Sequence, residues 1–100
     1  MKVNYRYIGW CSEDNSDKVW ACIQLSGDNQ RAGKFLTVWG RRGKKLQSKI
    51  VESNTYEMGK LIGSKVAKGY CGIPEDKLHE VYPEFQQDLE KTAAWSMLMA

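Results

Sequence analysis

The sequence predicts an α+β domain: an antiparallel sheet of four to five strands, one helix packed on it, and further helices at the C-terminal end. Three observations predict it. Four consecutive stretches place apolar residues at alternate positions with only short polar turns between them, the pattern of strands joined by hairpins. A cappable segment with apolar residues at helical spacing follows. Past residue 72 the chain turns acidic and carries two proline-led helix starts. One hundred residues, 42% of them apolar and 27% charged, suit one folded domain with its own core.

Each element has its own signal. Residues 3–8 put Val3, Tyr5 and Tyr7 on one side of an extended chain, a first strand. Residues 9–17 are polar and turn-forming. Residues 18–25 place Val19, Ala21, Ile23 and Leu25 on one face, a second strand. Residues 26–30 and Gly33 mark a hairpin loop. Residues 34–39 are β-branched and aromatic, a third strand, and residues 40–45 are a basic turn. Residues 46–52 return as a fourth strand.

Asn54 then suits a helix N-cap, with Glu57 three residues on. Met58, Leu61, Ile62 and Val66 form an apolar stripe with Lys60, Lys65 and Lys68 off it, and Gly69 stops the helix. Pro74 and Pro83 each open a further helix. Leu78, Val81 and Tyr82 should face inward in the first, and Phe85, Leu89, Ala93 and Ser96 fall on one line in the second. Two parts are expected: residues 1–72, and a helical extension, 73–100, packed on the same domain or on a partner.

Charge is unevenly distributed. From Arg31 to Lys68 ten basic residues face two acids, a local balance of +8 in a chain of +3. Residues 75–100 carry two basic and six acidic groups. The split suggests a basic binding surface and a tail with a different role, or a tail lying across the patch and neutralising it. The triplet Trp39-Gly40-Arg41 lies inside the basic stretch, with Arg42, Lys44, Lys45, Gln47 and Lys49 beside it and Lys65, Lys68 and Tyr70 further on. Guanidinium forks match phosphate oxygens, an indole stacks on a sugar or base, and glycine permits close backbone approach. Trp39 and Arg41 are two residues apart, so an extended chain sends both to one face. Lys18 and Lys91 lie outside the basic stretch.

Structural roles compete for the same residues. A strand tryptophan is commonly a core aromatic. One of Arg41 and Arg42 should be a surface charge, because successive residues point opposite ways. Lys44, Lys45 and Lys49 suit diffuse phosphate attraction, and Tyr70 suits packing on the helix end.

Other chemistries lack support. Cys11, Cys22, Cys71 and His79 have no paired metal-ligand spacing, and no orienting partner can be named for a Cys–His nucleophile. There is no phosphate-cradling Gly-Lys loop and no placed carboxylate pair. No metal, cofactor or enzymatic activity is expected. No apolar run approaches the roughly 20 residues of a membrane span. The N-terminus lacks a signal-peptide core, and three cysteines are an odd number, so a cytoplasmic location is expected.

The ordered set resembles a WGR domain, the module named for Trp-Gly-Arg and found in DNA-dependent poly(ADP-ribose) polymerases and bacterial proteins. The resemblance rests on the strand 18–25, the glycine hairpin leading into residues 33–39, the triplet, Arg42-Gly43, Gln47, and a helix closing in Lys65-Val66-Ala67-Lys68-Gly69-Tyr70. It covers residues 1 to 70. It implies a sheet with one helix across it, and duplex DNA binding near a strand end with Trp39 against the terminal sugar and Arg41 on phosphate. The family has glycine where this chain has Leu46, which bears on the turn and the fit to DNA. The predicted function is therefore nucleic-acid binding, of duplex DNA near ends or breaks. The alternative is a protein-interaction or self-association module acting through the apolar end Trp95, Met97, Leu98 and Met99.

Overall fold

In a computed structural model of the chain, residues 4–13, 15–24 and 32–99 are described, without the side chains of Ala32, Leu98 and Met99. The expectations for Val3, Leu25, the loop 26–30 and the side chains of Leu98 and Met99 fall outside these residues. A five-stranded antiparallel sheet forms the middle layer, in the order β4-β3-β2-β1-β5. The strands are β1 (Asn4–Cys11), β2 (Lys18–Gln24), β3 (Ala32–Arg41), β4 (Gln47–Asn54) and the two-residue β5 (Cys71–Gly72). Strands β1 to β4 are each paired with the next in sequence, as short loops favour. β1 runs three residues beyond its expected end, to Cys11, and Gly9 and Trp10 pair with Gly72 and Cys71.

The alternation of β2 and β3 divides the core between two faces. Val19, Ala21, Ile23, Leu36 and Val38 point to one, and Trp20, Cys22 and Phe35 to the other. β1 departs from the expected alternation. A bulge between Tyr5 and Tyr7 shifts the register by one residue. Tyr5 consequently packs with the first face and Tyr7 with the second, rather than both on one side.

Helix α1 (Thr55–Ala67) covers the second face. Its cap is as expected: the Asn54 side chain accepts the Glu57 N–H at 2.8 Å. Its stripe is narrower than the periodicity suggests and is rotated toward Lys65. Met58 is buried and Ile62 half-buried, while Leu61 is 37% and Val66 52% exposed. Lys65, expected off the stripe, lies half-buried with its ammonium 5.6 Å from the centre of the Trp20 ring. The charged end thus lies over the aromatic face, a cation–π arrangement.

The C-terminal part packs on the first face of the same sheet. After a 3₁₀ turn (Glu75–Lys77) come α2 (Leu78–Val81), α3 (Phe85–Glu90) and α4 (Ala93–Met99). Tyr82, Phe85 and Leu89 are buried there, with Tyr82 edge-on to Phe85 at 5.5 Å between ring centroids. The continuous last helix expected from residue 83 is broken at Lys91–Thr92. Thr92 Oγ1 donates to the Leu89 carbonyl and accepts the Trp95 N–H, which ends one helix and starts the next. The break rotates the register. Ala93 and Ser96 are exposed, and Ala94 is buried instead. Three layers result: short helices, sheet, single helix.

Candidate nucleic-acid interface

α1 begins where β4 ends and finishes near β1, and it leaves one corner of the second face uncovered. The register builds that corner. Lys18 lies opposite Arg41, Trp20 opposite Trp39, and Trp39 opposite Gln47. Lys49, opposite Thr37, comes next along β4. Directly opposed residues keep their Cβ atoms about 5 Å apart. Trp39 and Arg41 therefore share a face, as their spacing predicts. Trp39 is half-buried against the cluster of Trp20, Cys22, Phe35 and Met58, so it serves the core and the surface at once. Arg41, Gln47 and Lys49 are exposed. Arg41 makes a single 3.2 Å hydrogen bond, to the Asn15 carbonyl, which leaves most of its fork free.

At the end of α1 the corner continues into a groove of about 420 Å³ lined by Ser16, Lys18, Lys65, Lys68, Tyr70 and the rim residue Glu13, with Cys11 also in its wall. Tyr70 is half-buried, and its carbonyl accepts the Tyr7 hydroxyl at 2.5 Å. Burial, and secondarily the nearby Cys71, raises the pKa of Tyr7, which keeps that donor protonated. Tyr70 thus packs and also lines the groove. Lys18, read from sequence as lying outside the basic patch, belongs inside it. Only the cross-strand register reveals this, because Lys18 lies 23 positions from Arg41 in the chain.

The remaining candidates stand elsewhere. Arg42 faces the opposite side and is built into the scaffold. Its Nε pairs with Asp17 at 3.0 Å, its NH1 donates to the Val81 carbonyl at 2.6 Å, and its guanidinium lies 4.8 Å from the centre of the Trp10 ring. Trp10 Nε1 donates to the same Asp17 oxygen at 2.8 Å. Lys44 and Lys45 line a second groove with Gly43, Asp88 and Lys91, beside the C-terminal helices. So Lys91 is their neighbour, and the +8 stretch is divided between two sides of the domain.

The φ of +147° at Gly40 suits glycine, and a Cβ there would lie 3.3 Å from Leu46 Cδ2, on the core side. Leu46 is only 4% exposed and joins the larger core. Leu46 therefore fills the space over Gly40, on the face away from Trp39. Gly43 (φ +82°) closes the turn, and its N–H donates to Tyr82 Oη at 3.3 Å. Tyr82 in turn donates to Asp88. Burial first, then the Asp88 hydrogen bond, push the Tyr82 hydroxyl up to about 12.

Of the C-terminal candidates, Trp95 is half-buried against the domain's own core, and Ala94 N–H donates to Ser48 Oγ at 3.1 Å. Met97 is 74% exposed. Among the described residues no group of three His, Cys, Asp or Glu could hold a metal. No helix among them is long and apolar enough to cross a membrane. Compared with known proteins, the chain matches no family model, no curated protein and no solved structure.

Proposed function

We propose that this chain is a nucleic-acid-binding module that takes duplex DNA near a strand end on the corner formed by Trp39, Arg41, Gln47, Lys49 and Lys18. One observation carries the reading. A half-buried indole sits among three exposed cations on one sheet face, and no ion pair within 4.0 Å neutralises those cations among the described residues. An aromatic beside uncompensated positive charge suits a ligand with a stacking face and an anionic backbone. The resemblance to the WGR module supports the same ligand, with Trp39 against the terminal sugar and Arg41 on phosphate. Arg42 is assigned to the scaffold, and Lys44 and Lys45 to diffuse attraction from the other side. All three described cysteines are free thiols, in keeping with a reducing cytoplasmic setting.

Fluorescence anisotropy with blunt, nicked and single-stranded oligonucleotides at two salt concentrations tests this. End-bearing duplexes should bind tightest, and affinity should fall steeply with salt. Affinity that is flat between low and physiological salt would sink the reading. The second reading, self-association through α4, draws on the exposure of Met97 but has lost Trp95 to the core. Met97→Glu should then alter the oligomeric state seen by light scattering without altering salt-sensitive binding.

A further inference from the structure

The groove beside the corner is too confined for a second duplex, but it is continuous with the surface around Trp39. One wall is the last turn of α1, with Lys65 and Lys68. The other is the segment after β1, with Glu13 and Ser16, and Lys18 joins the groove to Arg41. α1 stands above the sheet here and would stop a cylinder of about 20 Å from lying down along this path, since the helix alone is about 10 Å across. A single backbone meets no such obstacle.

The charge is sufficient for one strand. Among the described residues three lysines and one carboxylate line the groove, and Glu13 makes no ion pair with any of the three. Lys65 and Lys68 stand at the negative end of the α1 dipole, which offsets about half a charge. Lys18 carries no such offset, so the groove remains net positive. From Cys11 on β1 to Lys49 on β4 the path crosses three strand spacings, about 14 Å in all. That length accommodates a short stretch of single strand beyond the duplex end.

Resting on the duplex-end reading above, we infer that the groove takes a short single-stranded tail that extends the bound duplex past Trp39. The tail's phosphates run along Lys18, Lys65 and Lys68, and Trp39 marks the junction between paired and unpaired strand. Nucleic acid with an overhang is thus the preferred ligand over a flush end.

The test is a titration with one blunt duplex and the same duplex carrying a four-nucleotide 5′ or 3′ tail, against wild type, Lys68→Gln, Lys65→Gln/Lys68→Gln and Lys60→Gln. A tail of one polarity should tighten wild-type binding about tenfold. In the double variant the gain should drop to about twofold or less, and in Lys60→Gln, on the outer side of α1, it should persist in full. The Lys65 ammonium lies over the Trp20 ring, so Lys68→Gln supplies an exposed change that leaves that contact intact, and it should lose about half the gain on a logarithmic scale. Blunt duplex that binds while neither tail adds affinity overturns this inference and leaves the duplex-end reading standing. A tail gain that survives in the double variant overturns it too. No salt-sensitive binding to any of the probes overturns the reading on which it rests.

Discussion

Arg41 and Arg42 are neighbours with the same charge, and their replacement by alanine should produce opposite phenotypes. Arg42→Ala removes a hydrogen bond from a charged donor to the Val81 carbonyl, worth about 1.5–3 kcal/mol. It removes a cation–π contact with Trp10, worth about 0.5–2 kcal/mol. The Asp17 ion pair, with both side chains 33% exposed, adds at most about 1 kcal/mol. These terms share one side chain and do not add fully, so about 2–4 kcal/mol is expected. A domain of this size loses roughly 4–8 °C per kcal/mol, so the melting temperature should fall by at least about 8 °C. Arg41 is exposed and makes one 3.2 Å bond to Asn15, so Arg41→Ala should cost about 0.5 kcal/mol or less. Binding should reverse the order. Arg41→Ala should weaken duplex-end affinity about tenfold. Arg42→Ala, assayed well below its melt, should lose about threefold or less, because its charge is on the far side of the sheet and screened over about 8 Å. Arg42→Lys keeps the charge but not the fork and should recover only part of the stability. Thermal melts and anisotropy on the same preparations decide it. Equal melting temperatures for the two alanine variants would refute the division of the basic stretch between two faces.

Further outcomes follow from the same geometry. Trp39→Ala should weaken end binding by about tenfold and narrow the preference for ends, leave the salt slope nearly unchanged, and lower stability by about 1–2 kcal/mol because the ring is half-buried; a folded variant that binds ends like wild type would make the indole purely structural. Burial pushes the Cys22 thiol and the Tyr82 hydroxyl each up to about 12, from ordinary values of 9.0 and 10.0. Above those ordinary values the unfolded chain releases protons that the native state retains, so stability should be full below pH 9 and fall as pH rises toward 12; Tyr82→Phe should remove its share of that slope in alkaline denaturation. A thiol reagent should modify exposed Cys71 rapidly, Cys11 at the groove wall slowly, and Cys22 only on unfolding; three equally fast thiols would contradict the burial.

Local chemistry made much of this architecture legible in the sequence. Alternation in β2 and β3 follows from the two-residue period of a strand, and the Asn54 cap is readable because its partner lies three residues away. What escaped is non-local. The bulge at Arg6 has no composition signal, yet it sends Tyr5 and Tyr7 to different faces. Lys18 enters the corner only through pairing with Arg41. The α1 stripe is miscentred because periodicity counts Val66 as apolar and Lys65 as polar, whereas Lys65 is half-buried with its ammonium over the Trp20 ring. Arg42 is indistinguishable from Arg41 by type, and only the positions of Asp17, Trp10 and Val81 assign it to the scaffold. The split of the last helix depends on one threonine hydroxyl competing for backbone groups.

The sequential pairing of β1 through β4 has a kinetic consequence. Each of these strands finds its partner without waiting for distant chain, so the sheet is assembled from local contacts, which favours rapid folding. The covering layers come later in the chain: α1 ends at Ala67, and the opposite face waits for Tyr82, Phe85 and Leu89. On the ribosome, at about 5–20 residues per second, the four strands are synthesised seconds before the residues that cover their larger apolar face. That interval is the chain's most aggregation-prone moment. Nascent chains arrested after residue 72 should accordingly recruit holdase chaperones that the finished domain does not.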